Sequence, residues 1–150
     1  MTVKQYIQQL LVLERQIRFT NAQAQKWHDI AYGQSSPMSD NERVQTSVGD
    51  RMADAVSMYL TMESKYKNCL LKYRELYDTI DNQLANMSEP LYGEVLRRHL
   101  IAEETLYEIG IDSGYSYRQI KRKYTAAVME FAEKYLKDVP KCPQMSPNVP

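Results

Sequence analysis

From Met52 to Met87 an apolar side chain returns at every seventh residue: Met52, Tyr59, Tyr66, Tyr73, Ile80 and Met87. A second set, Val56, Leu70, Tyr77 and Leu84, interleaves with it and is broken only at Glu63. A repeat averaging 3.5 residues, held for about five heptads, is the signature of a long helix with one seam; strands alternate with period two. The remaining sequence permits the same choice. Glycines number five, and four of the six prolines fall after Asp138, so the interior is poor in helix breakers.

A second stripe lies upstream. Tyr6, Leu10, Leu13, Ile17, Ala24, Trp27 and Ala31, with Thr20 filling the gap, alternate spacings of four and three. They predict a helix over Thr2–Tyr32, roughly 45 Å long at ~1.5 Å per residue. The stretch from 33 to about 48 reads as a linker, with helix starts on offer at Ser39 (capping-box spacing to Glu42) and at Ser47, the second being favoured. Two long helices with a short connection pack most simply as an antiparallel, coiled-coil-like hairpin over residues 1–87; pairing of either seam with a second chain, giving a homodimer, is the alternative.

Residues 88–137 read differently. Ser88 is expected to cap a third helix, Glu89–Leu100, with Pro90 in its first turn. Thr105 with Glu108 and Ser116 with Gln119 both have capping-box spacing, and Gly114 separates them. Residues 138–150 read as a disordered, Pro-rich tail.

The stretch Thr105–Ala127 carries the functional signal. A helix-turn-helix needs a short first helix, a small residue where the second helix crosses, a glycine for the left-handed turn and an apolar anchor beyond it. Ile109, Gly110, Gly114 and Ile120 stand at those spacings. On the second helix Ile120, Tyr124, Ala127, Val128 and Phe131 form the apolar face, while Arg118 and Arg122 point nearly opposite. Between Tyr117 and Lys123 there are four cations and no acid, whereas the preceding helix region carries Glu103, Glu104, Glu108 and Asp112. The chain has formal net charge zero, which argues against a uniformly basic coat on DNA. Its positive charge is instead segregated onto one element. Arg118, Arg122 and Gln119 have the chemistry of base readout, Lys121 and Lys123 that of phosphate contact, and Ser116, Tyr117 and Thr125 complete the expected DNA-binding set. Arg97 and Arg98 are expected as further phosphate contacts.

From about Val44 to Leu136 the chain resembles small phage proteins whose C-terminal region is similar to sigma factor region 4, close to the RinA- and ArpU-type regulators of phage late transcription. The runs MSEPLYGEVLRRHLI and TLYEIGIDSGYSYRQIKRKYTAAVMEF carry the likeness. It departs from the family pattern at Ser113, where leucine is usual, at Lys123, where a second apolar anchor is usual and Tyr124 stands next to it, and at Leu106, where a bulkier residue opens the motif. The resemblance implies an all-α fold ending in a three-helix, sigma region 4-like helix-turn-helix. It also implies binding to double-stranded DNA, contact with host RNA polymerase, and a place in the bacterial cytoplasm.

Other classes find less support. There is no Gly-rich phosphate loop, zinc signature or nucleophile–base arrangement, so neither an enzyme nor a cofactor is expected. His28 and His99 lack partners at metal-ligand spacing, so no metal is expected. Cys69 and Cys142 form no CxxC pair and suggest a reduced compartment. No apolar run approaches the ~20 residues of a membrane span, and no signal-peptide core is present. The tyrosines and Trp27 read as packing residues, and Glu63 as a partly exposed position or register device. Two alternatives to a regulator remain: a small-terminase-like DNA-packaging protein, and a helical interaction module without DNA binding.

Overall fold

The structure is a computed structural model that describes residues 1–33 and 48–137; the expected linker caps at Ser39 and Ser47, the tail and Cys142 lie outside the described residues. Those residues are all-helical. Helix α1 spans Val3–Ala31, α2 Val48–Ala85, α3 Pro90–Leu96, α4 Leu106–Ser113 and α5 Tyr117–Tyr135, with a π-helical turn at Arg97–Ile101. No described helix is long and apolar enough to cross a membrane.

The chain divides into two compact units, and the division falls inside both long helices. The first unit joins Met1–Leu11 to the chain from Leu76 onward; the second is Val12–Glu75. The physical reason is where large apolar side chains are buried. Val3, Ile7, Leu10, Ile80, Leu84, Met87, Val95, Leu96, Leu100, Ile109, Ile120 and Phe131 are buried, and all belong to the first unit. There the Tyr6 hydroxyl donates to Gln83 Oε1 (3.0 Å), and the Tyr6 ring lies 5.9 Å from that of Phe131. Among its described residues the second unit buries Ala24, Ala31 and Ala55, together with Thr20. The Thr20 hydroxyl donates to the Gln16 carbonyl at 2.8 Å, so this polar member of the stripe is satisfied within its own helix.

The stripe expected on α1 is the inward one: Leu10, Thr20, Ala24 and Ala31 are buried and Tyr6, Leu13, Ile17 and Trp27 half-buried, with Val3 and Ile7 extending it. On α2 the residues seven apart from Tyr59 to Met87 face inward while Met52 is 50% exposed, and of their expected companions Leu84 is buried and Val56 half-buried. Ala55, Met62, Cys69 and Leu76 are buried or half-buried, whereas Leu70 and Tyr77 are each 39% exposed. Spacings of three-then-four and four-then-three both average 3.5, and only the middle of the expected companion stripe, Leu70 and Tyr77, lies outward. Glu63, half-buried itself, stands between Val56 and Leu70 on that companion stripe.

Where α3 meets the end of α2, Gly93 is buried, and a Cβ there would collide with the Leu84 carbonyl oxygen. Packing among α3, the π turn, α4 and α5 completes the C-terminal cluster. Its centre is Val95, Ile109 and Ile120, with Leu91, Leu106 and Tyr124 packed around them. The N-cap of α3 is Glu89 rather than Ser88, whose backbone N–H instead donates to Glu130 Oε2 at 3.1 Å. The π turn closes with Ala102 N–H donating to the Arg97 carbonyl at 3.1 Å, and Glu103 follows at φ 58°.

Candidate nucleic-acid interface

The local chemistry of the turn matches the spacing argument. Thr105 Oγ1 accepts from the Glu108 N–H (3.2 Å) while the Glu108 carboxylate accepts from the Thr105 N–H (3.1 Å), closing a capping box on α4. Gly114 ends α4 at φ 76°, a conformation that disfavours a side chain. Ser116 and Gln119 close the second box, with Ser116 Oγ accepting from Gln119 N–H (3.2 Å) and Gln119 Oε1 accepting from Ser116 N–H (2.9 Å). Gly110 lies under the crossing: a Cβ there would sit 3.0 Å from the Tyr115 carbonyl oxygen and 3.5 Å from Ile120 Cγ2. The small residue is thus explained by close approach of the turn and α5.

Helix α5 buries Ile120, Ala127 and Phe131 and turns Arg118, Lys121 and Arg122 the other way. Arg118, Lys121 and Arg122 are exposed, and among the described residues no carboxylate lies within 4.0 Å of their charged nitrogens. Lys121 Nζ lies 5.3 Å from the centre of the Tyr117 ring, which is itself half exposed. The Thr125 hydroxyl is exposed but donates back to the Lys121 carbonyl (3.0 Å), leaving it an acceptor toward solvent. Met129, 67% exposed, continues the outward line Arg118–Arg122–Thr125 at helical spacing. Arg118, Lys121, Arg122, Thr125, Ala126 and Met129 line one shallow groove. Sequence reasoning missed Met129, although its position seven residues beyond Arg122 carried the signal.

Four residues of the expected set sit elsewhere. Gln119 is held in the capping box, so its carbonyl oxygen is already engaged as an acceptor. Lys123 turns back toward α3: its ammonium lies 3.5 Å from Glu89 Oε2 and 6.0 Å from the Tyr92 ring centre. Three residues after Ile120, it lies near the inward side of the helix. Tyr124 takes the anchor position instead, packing on the Val95–Ile109–Ile120 cluster, and burial pushes its phenol pKa up. Arg97 pairs with Asp81. Arg98 is the hub of an acidic cluster, bonding Glu104 through Nε and Nη2 and Asp112 at 2.6 Å, with Glu94 at 3.7 Å. Hydrogen bonding from Arg98 holds the Glu104 carboxyl below its ordinary range. Both arginines are thus engaged by the protein's own acids rather than left for phosphate. His99 is structural as well: its Nδ1 lies 2.8 Å from the Glu104 carbonyl and its ring meets Tyr124 edge-on at 4.9 Å.

Glu108 is therefore engaged by capping and Glu104 and Asp112 by Arg98, while the cations on the outer face of α5 have no such partner among the described residues. No family model, curated protein or solved structure matches the chain.

Proposed function

We propose that this protein binds double-stranded DNA in a sequence-dependent way through the outer face of α5, as a transcriptional regulator of phage or prophage origin. The carrying observation is the exposed trio Arg118, Lys121 and Arg122, free of ion-pair partners among the described residues, on a helix whose start is fixed by Gly114 and the Ser116 box. Arg118 and Arg122 have the reach and fork geometry for guanine, each such pairing being worth roughly 1–3 kcal/mol of discrimination. Lys121 and the N–H groups near Ser116 suit phosphate, and Met129 suits the thymine methyl. In this reading α3, α4 and α5 are a sigma region 4-like helix-turn-helix. The long helices form an antiparallel hairpin, in keeping with Tyr6 meeting Gln83 in one unit and His28 meeting Tyr59 in the other. RNA polymerase or a second copy is the partner that the hairpin serves.

Selection of bound fragments from the source genome, followed by affinity measurements on the recovered duplex, tests the reading. The double change Arg118→Ala, Arg122→Ala is expected to erase the preference for the selected site while retaining weak general binding. Unaltered preference in that variant would place the reading face elsewhere. A second reading, an interaction module without DNA binding, draws on Tyr107 and Ile111, one turn apart on α4 and each 61% exposed. No binding of any fragment at low salt would favour it.

A further inference from the structure

Glu63 takes no part in the proposed DNA face, yet its surroundings in the Val12–Glu75 unit are specific. A cleft of roughly 240 Å³ lies between α1 and α2, lined by Asn21, Gln25, His28, Tyr59, Glu63 and Tyr66, with Ala24 at its floor. The lining contains one carboxylate and no lysine or arginine. Tyr59 and Tyr66 stand four residues before and three after Glu63, on the same side of α2, and α1 contributes Asn21, Gln25 and His28 at helical spacing.

We propose that this cleft binds a small organic ammonium ion, such as the end group of an aliphatic diamine. Charge sets the sign of the ligand: Glu63 attracts a cation, and no cation in the lining would hold an anion. Two phenol rings offer the electron-rich surfaces that organic ammonium groups favour over water. A further acceptor is also in place. Gln25 donates its Nε2–H to Asp29 Oδ1 at 2.9 Å, which leaves its carbonyl oxygen to accept from an ammonium. His28 Nδ1 is itself buried, 3.6 Å from Asp29 Oδ1, so the imidazole lines the cleft with its other atoms. Size limits the ligand, since the volume falls below the ~300 Å³ at which drug-sized sites begin. Glu63 already meets one ammonium, that of Lys67 at 3.4 Å, but the Lys67 side chain is 69% exposed, so the pairing is weak and replaceable.

The full-length protein is titrated with putrescine by calorimetry and by following the tyrosine and histidine ring signals in NMR spectra. Saturable one-to-one binding is expected, with shifts at Tyr59, Tyr66 and His28. 1,4-Butanediol, of similar shape and uncharged, is expected to produce no such shifts, a comparison that needs no variant. Glu63→Gln should weaken binding at least tenfold, and Tyr66→Leu several-fold, while Tyr66→Phe retains it. Asp54→Asn, an exposed acid on the same helix, should leave it unchanged. A non-saturating response, equal shifts with butanediol, or full affinity in a folded Glu63→Gln protein overturns the proposal.

Discussion

Gly93→Ala is the substitution whose sign separates local helix preference from tertiary packing. In an isolated helix alanine is favoured over glycine by about 1 kcal/mol, so the change alone should stabilise α3. The structure opposes this. The new Cβ would overlap the Leu84 carbonyl oxygen and stand 3.2 Å from the carbonyl carbon. Both atoms are main chain of α2 and cannot rotate aside, so α3 must lift from the end of α2. Forced overpacking of this kind costs about 1–3 kcal/mol, and a backbone obstacle places it toward the upper end. The net expectation is a loss of about 1–2 kcal/mol, or a Tm lowered by roughly 2–8 °C in a chain of this size. Thermal and urea unfolding followed by circular dichroism measure it. Gly110→Ala, whose Cβ meets the Tyr115 carbonyl oxygen at 3.0 Å, should lose less. A Gly93→Ala protein more stable than the parent by the helix-propensity increment would show that α3 does not approach α2 so closely.

Further outcomes rest on single side chains. Ser116→Ala removes the hydroxyl of the α5 capping box and should destabilise by about 1 kcal/mol in urea unfolding. The Glu104 carboxyl is held below its ordinary 4.5 by Arg98, so its contribution is complete above that pH and is lost as pH falls through the lowered folded value. Arg98→Leu should accordingly shrink the Tm difference between neutral and strongly acidic solution. Lys123→Ala should weaken DNA binding less than Lys121→Ala in the same titration, because Lys123 is turned toward Glu89.

Much of the C-terminal cluster was legible because its signals are local. Capping boxes, a left-handed glycine and an anchor spacing act within a few residues, and Thr105, Gly114, Ser116 and Ile120 sit where those rules place them. What was not legible depends on distant partners. Arg98 looked like a free cation because its acids, Glu104 and Asp112, come from later segments that only the π turn and α4 bring back. Nothing in the run RRHLI signals the π turn at Arg97–Ile101. On α2 two stripes of equal period compete, and only the packed partner decides between Cys69–Leu76 and Leu70–Tyr77. Lys123 misled because its charge suggested solvent while its position beside Ile120 brought it to Glu89. Distant partners engage Arg97, Arg98 and Lys123, while the local capping box holds Gln119, so the proposed face narrows to Arg118, Lys121 and Arg122.

The salt dependence of duplex binding bears on that smaller interface most directly. Fluorescence anisotropy with the selected duplex, repeated over a series of salt concentrations, gives affinity and slope together. The parent protein should bind with a steep negative slope. The triple change Arg118→Ala, Lys121→Ala, Arg122→Ala should weaken binding and flatten the slope by roughly 0.9 for each phosphate that the variant no longer neutralises. A triple variant that retains both the affinity and the slope of the parent would contradict the account.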